Sequence, residues 1–265
     1  ITVGYSANAL GGAGGPLAVL IIAIVASELG KAVSKETRVD ILVTPLVTIF
    51  SGVGLSMLIA APIGAAASQV GTLIMWATEQ APLVMGILVS VIVGVALTLP
   101  ISSAAICAAL GLTGLAGGAA VAGCCAQMIG FAVMSYKENG VGGLVSQGLG
   151  TSMLQMGNIV KNPRIWIAPT LASAITGPLA TCVFHFEMNG AAVSSGMGTC
   201  GLVGQIGVYT GWVSDIAAGV KTAITPMDWA AMVLLCFVLP AVLSVIFCEI
   251  ERKMGWIKEG DLKLN

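Results

Sequence analysis

The apolar residues of this chain run in long blocks rather than alternating with polar ones, and about 20 apolar residues is the length that crosses a bilayer core as a helix. The first block covers residues 15–32, opened by the glycine-rich run from Gly11 to Pro16. Glu28 and Lys31 stand three apart near its end, where they can pair across one turn. The second covers 41–61, with Pro45 tolerable near its start. Residues 65–80 carry Gln69, Trp76 and Glu79 and read as a separate interfacial helix, because Trp favours the headgroup level. A third span, 81–99, is closed by Pro100.

After Pro100 the pattern changes. Residues 101–118 are small, with Ser102, Ser103 and Thr113, and are short for a full crossing, so they read as a re-entrant hairpin or a broken helix. Non-helical backbone survives at membrane depth only when buried in protein or lining a water-filled cavity. Residues 119–135 form the next apolar helix, ending at Tyr136-Lys-Glu-Asn-Gly140. Residues 141–163, with Gln147, Thr151, Ser152, Gln155 and Asn158, are too polar to face lipid and too apolar for a free loop. A span over 166–186, a second small-residue segment over 189–207 and a final span over 226–248 complete the chain.

Two halves, roughly 14–136 and 141–250, therefore each carry an apolar helix followed by a charge-free small-residue segment, Pro100-Ile-Ser-Ser-Ala-Ala and Asn189-Gly-Ala-Ala-Val-Ser-Ser. Paired interruptions at corresponding places point to a transporter's substrate site. The same small residues also permit close helix packing, and the pattern leaves both readings open. The expected fold is an all-α polytopic transmembrane bundle, a single domain over 1–265 with two re-entrant or broken-helix segments. Because the chain opens on Ile1 rather than Met, a further segment is expected upstream.

Composition narrows this. Charged residues make up 9% of the chain and hydrophobic types 57%, with a mean hydropathy of +1.00, whereas soluble domains carry about 25% charged residues. Thirty-five glycines beside three tyrosines and six phenylalanines count against a porin-type barrel, which needs aromatic girdles. A net charge of −1 with no basic face excludes nucleic-acid binding. The seven cysteines lie among apolar or small residues without C-x-x-C pairs and read as small hydrophobes. With a lone His185 they complete no zinc set, so neither metal nor cofactor is expected.

Lys and Arg near span ends set the orientation. Arg252, Lys253, Lys258 and Lys263 place the C-terminus in the cytoplasm, and Lys31, Lys35 and Arg38 place the first loop there too. Residues 62–81 have no Lys or Arg and belong outside. Lys137, Lys161 and Arg164 are then cytoplasmic as well, which requires residues 101–116 to cross the membrane once overall.

Glu187 is the one formal charge between Ile165 and Ser214, as Glu79 is between Ile41 and Tyr136. An intramembrane carboxylate is a functional-site candidate by default; the alternative is that Glu187 lies just past a span end in the headgroups. His185 brackets the same transition, or merely snorkels. A sugar needs acceptors and donors at its hydroxyls. Glu187, Asn189, Gln147, Gln155 and Asn158 offer them, with Ser194, Ser195 and Thr199 in support. Ser and Thr in apolar helices also bond their own backbone.

Four stretches carry a family resemblance: Gly140-Val-Gly-Gly-Leu-Val-Ser-Gln-Gly-Leu-Gly-Thr-Ser-Met-Leu-Gln, Lys161-Asn-Pro-Arg-Ile-Trp-Ile-Ala-Pro-Thr-Leu-Ala-Ser-Ala, Val39-Asp-Ile-Leu-Val-Thr-Pro-Leu-Val-Thr and Cys124-Cys-Ala-Gln-Met-Ile-Gly-Phe-Ala-Val-Met-Ser. Over nearly its whole length the chain resembles the type 2 enzyme IIC-like membrane proteins, named for their similarity to phosphotransferase-system sugar permeases and including perfringolysin regulator-like proteins. The resemblance implies a multi-pass protein of the bacterial inner membrane, a homodimer, handling a small polar solute. Gly157 stands where proline is expected, which softens the helix break there. The chain carries no IIB-like segment with a phosphorylatable cysteine, so a separate cytoplasmic phosphocarrier subunit would have to supply any phosphoryl group.

Two functions are compatible with this reading. One is a permease that binds a sugar-like solute near mid-membrane and moves it by alternating access. The other is a membrane-embedded sensor or regulator that binds a ligand without transporting it and signals through the tail after Arg252. An intramembrane enzyme lacks support, for there is no H-E-x-x-H, no paired aspartates within spans and no G-x-S-x-G beside a usable His.

Overall fold

The structure is a computed structural model that describes residues 15–36 and 39–264. Arg38 and most of the glycine-rich opening run fall outside these residues. The described chain is helical, with one isolated bridge between Gly114 and Met188 and no strand among the described residues. The described residues divide into two compact units, those of 15–72 with 108–110, and those of 73–107 with 111–264.

The first unit is built on an antiparallel pair formed by α1 (Gly15–Val33) and the N-terminal part of α2 (Asp40–Gln80). Ala18, Ile22 and Ala60 are buried between them, with Leu55, Ile59 and Ile63 packed alongside. Asp40 Oδ1 accepts from the Lys35 N–H at 2.9 Å and from Thr44 Oγ1 at 2.6 Å, which ties down the start of α2. Glu28 and Lys31 pair across one turn as expected, at 3.8 Å.

The expected separate helix over 65–80 is not separate. α2 is one helix of 41 residues that runs through Pro62, about 62 Å long at about 1.5 Å per residue, against about 30 Å of hydrocarbon. Proline removes one intrahelical bond, and apolar surroundings let the helix continue past the loss. The flanking Ala60, Ala61, Ala65, Ala66 and Ala67 are strong helix formers.

In the second unit four long helices form the body: α3 (Pro82–Thr98), α5 (Gly114–Met134), α8 (Pro163–Val183) and α10 (Pro226–Lys253). α5 is central, since 89% of its span is buried. Small residues let the helices approach. A Cβ added to Gly123 would overlap the Ser90 carbonyl oxygen, and Ser90 Oγ donates to the Ser173 carbonyl at 2.8 Å. This is the close-packing use of small residues, realised on α3, α5 and α8.

The pairings also give directions. Thr181 meets Pro82 and Ser173 meets Ser90, so α8 runs against α3. Thr98 Oγ1 reaches Gln127 Oε1 at 3.3 Å, so the end of α3 lies far along α5. α3 and α5 are therefore parallel, and the chain between them must climb back along α5 by about 20 Å, about 13 residues of rise. The short helix α4 (Ser103–Leu110), about 12 Å long, makes part of that return and the non-helical residues on either side make the rest. Residues 99–113 thus lead back toward the end of the bundle from which α3 sets out.

Boundaries within the small-residue segments differ from expectation. Residues 114–118 belong to α5, and within them the bare Gly118 lets Phe186 approach; a Cβ there would overlap its carbonyl oxygen. Residues 203–207 begin α9 (Val203–Ala217), a helix that its mixed polarity hid. Residues 141–163 are a broken amphipathic run, with a widened turn over Ser146–Gly150 and a short α7 (Met156–Lys161) after α6 (Tyr136–Val145).

Candidate functional site

The two small-residue segments meet. The Gly114 and Met188 backbones exchange N–H to O bonds at 3.0 Å each. Ser103 Oγ donates to the Gly196 carbonyl at 2.6 Å and Ser195 Oγ to the Leu112 carbonyl at 2.7 Å, with both serines buried. Residues 189–202 and α9 then form a hairpin whose arms touch: a Cβ on Gly211 would lie 2.8 Å from the Asn189 nitrogen, and Ser194 packs on Gly207. Its turn is left-handed at Gly198, Gly201 and Leu202, with φ of 53°, 53° and 57°. Gly198 is the position with no room for a side chain, since a Cβ there would lie 2.7 Å from Cys124 in the middle of α5.

α8 ends in a widened turn, Leu179–Val183, and His185 then takes φ of 43°. A left-handed conformation in a non-glycine residue is strained and persists only where its surroundings hold it. The bonds from Phe184 N–H to Leu179 O at 3.0 Å and from Phe186 N–H to Ala180 O at 2.8 Å do so. Beyond this left-handed residue, burial alternates along the chain up to the bridge at Met188. Phe186 and Met188 enter the core while His185 and Glu187 point out.

They point into a cavity of about 390 Å³ that also touches Trp212, Asp215, Lys221 and Asp228. Asn189 links two of its carboxylates, donating one amide hydrogen to Glu187 Oε2 at 3.1 Å and the other to Asp215 Oδ2 at 2.9 Å. Lys221 is held by Asp228 at 2.7 Å and lies 5.3 Å over the Trp212 ring. Trp212 packs edge-on against Trp229 with centroids 5.5 Å apart. Asp228 also closes a capping box with Thr225 at the start of α10.

The cavity thus gathers His185 and Glu187, with Asn189 bonded to its rim. Gln147, Gln155 and Asn158 are elsewhere and already committed. Gln147 Nε2 donates to Ser135 Oγ and the Gly143 carbonyl, Gln155 Nε2 to Gln147 Oε1 and the Leu262 carbonyl, and Asn158 Nδ2 to Gln155 Oε1 and the Lys263 carbonyl. Both hydrogens of each amide are used. Ser194 and Ser195 lie in the hairpin, away from the cavity lining.

Asp215, Lys221, Asp228 and Trp212 were not singled out from sequence. The available signal was Thr225-Pro-Met-Asp228, which has capping-box spacing ahead of an apolar run. Among the described residues no group of three His, Cys, Asp or Glu could hold a metal ion. Cys107, Cys124, Cys125, Cys236 and Cys248 are buried, whereas Cys182 is exposed at the end of α8.

Neither a curated protein nor a solved structure matches this chain. A family model does, that of the phosphotransferase system EIIC, over residues 1–264. Among the described residues, four helices long and apolar enough to cross a membrane agree with it. The chain belongs to the phosphotransferase-system EIIC family, the sugar-permease component of that system, a multi-pass protein of the bacterial plasma membrane.

Proposed function

We propose that this protein binds a sugar in the cavity beside Glu187 and carries it across the membrane by alternating access. The observation that carries the reading is the cluster of Glu187, Asn189 and Asp215 beside Trp212 in one cavity. Carboxylates accept from paired hydroxyls, and an indole offers an apolar face with a polar edge. His185 supplements them from the same stretch. The cavity lies where α8 ends and α10 begins, the ends opposite Arg164 and Arg252, and so serves as the outward mouth with the C-terminus in the cytoplasm.

Movement falls to the two broken segments, in which Ser103 and Ser195 join one to the other through two hydroxyl bonds. A separate cytoplasmic subunit supplies the phosphoryl group. Only 17% of the α2 span is buried within the chain, which leaves apolar surface for lipid and for the second copy of a homodimer.

Titration of the purified protein in nanodiscs with a panel of mono- and disaccharides, read by tryptophan fluorescence, tests the site. Glu187→Gln is expected to weaken binding about tenfold or more, since a hydrogen bond to a charged group contributes about 1.5–3 kcal/mol. Unchanged affinity removes Glu187 from the site. Counterflow in proteoliposomes tests transport, and binding without flux places the protein among sensors instead.

A further inference from the structure

The C-terminal residues after α10 fold back as a strap onto the run 135–162. Side-chain amides hold its backbone. Asn139 Nδ2 and Gln155 Nε2 both donate to the Leu262 carbonyl, at 2.8 and 3.0 Å. Asn158 reaches the Lys263 carbonyl at 3.0 Å, Asn162 reaches the Trp256 carbonyl at 2.9 Å, and Asn139 Oδ1 accepts from the Leu264 N–H at 2.8 Å. Ile257 and Leu262 anchor the strap, at 3% and 0% exposure, in a core with Phe131, Ile159 and Ile165.

The same amides continue inward. Gln155 donates to Gln147 at 2.8 Å, and Gln147 belongs to the widened turn Ser146–Gly150. The next residue of that turn, Gly148, offers its carbonyl to Thr199 Oγ1 at 2.5 Å. Thr199 is 0% exposed and sits at the tip of the hairpin beside the left-handed Gly198 and Leu202. α9 descends from that tip and carries Trp212 and Asp215, two walls of the cavity.

We propose that the strap and the hairpin are one coupled element: the docked strap holds the turn Ser146–Gly150 in the position that anchors Thr199, and undocking it frees the hairpin and the cavity wall it carries. A coupled pair needs an element with two arrangements that both sites bias, and the broken, left-handed hairpin tip is that element. The consequence for sugar affinity rests on the reading of the cavity given above; the coupling itself does not.

Hydrogen exchange measured on the full chain in nanodiscs, with no sugar present, tests the coupling. Gln155→Ala cuts the strap and the relay together, and exchange is expected to rise about tenfold both over 256–264 and over the tip, 197–202, the effect of losing a bond of about 1.4 kcal/mol. Asn158→Ala, which removes the strap contact to the Lys263 carbonyl and the bond to Gln155 Oε1 but leaves Gln155 bonded to both Leu262 and Gln147, is expected to raise both in the same ratio to a lesser degree, and replaces Gln155→Ala if that variant does not fold. Thr199→Val cuts the relay at its far end, so adding it to Gln155→Ala speeds the tip no further than Thr199→Val alone. Lys137→Met, which breaks an exposed ion pair at the same end of the bundle, leaves the tip unchanged. Faster exchange confined to the strap, or strictly additive effects at the tip, would overturn the coupling. Failure of sugar to bind leaves the exchange result standing, so the two readings fail separately.

Discussion

Replacing Ser195 by alanine isolates one of the two hydroxyl bonds that fasten the broken segments together. Ser195 is 0% exposed and its Oγ donates to the Leu112 carbonyl at 2.7 Å. Alanine leaves the backbone and Cβ in place and removes the donor, so the loss is that of a buried acceptor deprived of its partner, about 1–3 kcal/mol. For a chain of this size each kcal/mol lowers the melting temperature by about 2–4 °C, which gives a fall of about 2–12 °C.

Ser103→Ala removes the companion bond to the Gly196 carbonyl, 2.6 Å long and equally buried, and is expected to behave alike. Because both bonds join the same two stretches, the double variant is expected to deviate from the sum of the singles. The assay is intrinsic-fluorescence melting at fixed detergent and lipid, with exchange over 189–202 as a local readout. Single variants that melt within about 1 °C of the parent, without faster local exchange, would refute the reasoning.

The bond between Arg252 and Glu138, 2.7 Å with side chains 15% and 9% exposed, is expected to be worth far more than the exposed Lys137–Glu249 pair. Arg252→Met should destabilise by about 3–5 kcal/mol and Lys137→Met by less than about 1 kcal/mol in chemical or thermal unfolding, and equal losses would sink the distinction. Gly123→Ala forces a methyl against the Ser90 backbone and should lower stability by about 1–3 kcal/mol or more, whereas Gly157→Ala meets nothing within 4 Å and should be neutral or stabilising. Thiol labelling in right-side-out and inverted vesicles should reach Lys161→Cys and Lys253→Cys from the cytoplasmic side and Val220→Cys, 79% exposed in the parent, from outside; one-sided access to all three would contradict the direction of α8 and α10.

The long spans were readable because crossing a bilayer needs apolar length, and length is a local property of sequence. α1, α3 and α10 accordingly begin and end within a few residues of the expected blocks. What local reading could not supply was how a breaker behaves in its surroundings. Pro62 does not stop α2, while Gly111 and Gly114, both at φ of 63°, do interrupt the chain between α4 and α5. Glycines 117 and 118, three and four residues beyond Gly114, instead stay helical, because their missing side chains admit Ser195 and Phe186. The same residue type acts as a turn or as a packing surface, and the difference lies in a partner distant in sequence.

A parallel reason separates the amides from the cavity. Residue type says that Gln147, Gln155 and Asn158 can serve a sugar as well as Asn189 can, but binding needs hydrogen-bonding capacity left over after folding. Folding consumes theirs: six donated bonds run from these three side chains to Ser135, to Gly143, to one another and, in the strap, to the backbone of Leu262 and Lys263. Asn189 also spends both hydrogens, yet on Glu187 and Asp215, carboxylates with lone pairs to spare facing open volume. A charge standing alone in a long apolar stretch made Glu187 visible, since such a residue is costly to place unless it faces water or a ligand. Asp215 stood in a polar stretch where nothing marked it out, and only the folding of α9 against the 185–190 stretch brings it to Glu187. Where charge is scarce, function can be sought from isolation; where polar residues are common, it has to be sought from what each one has left to give.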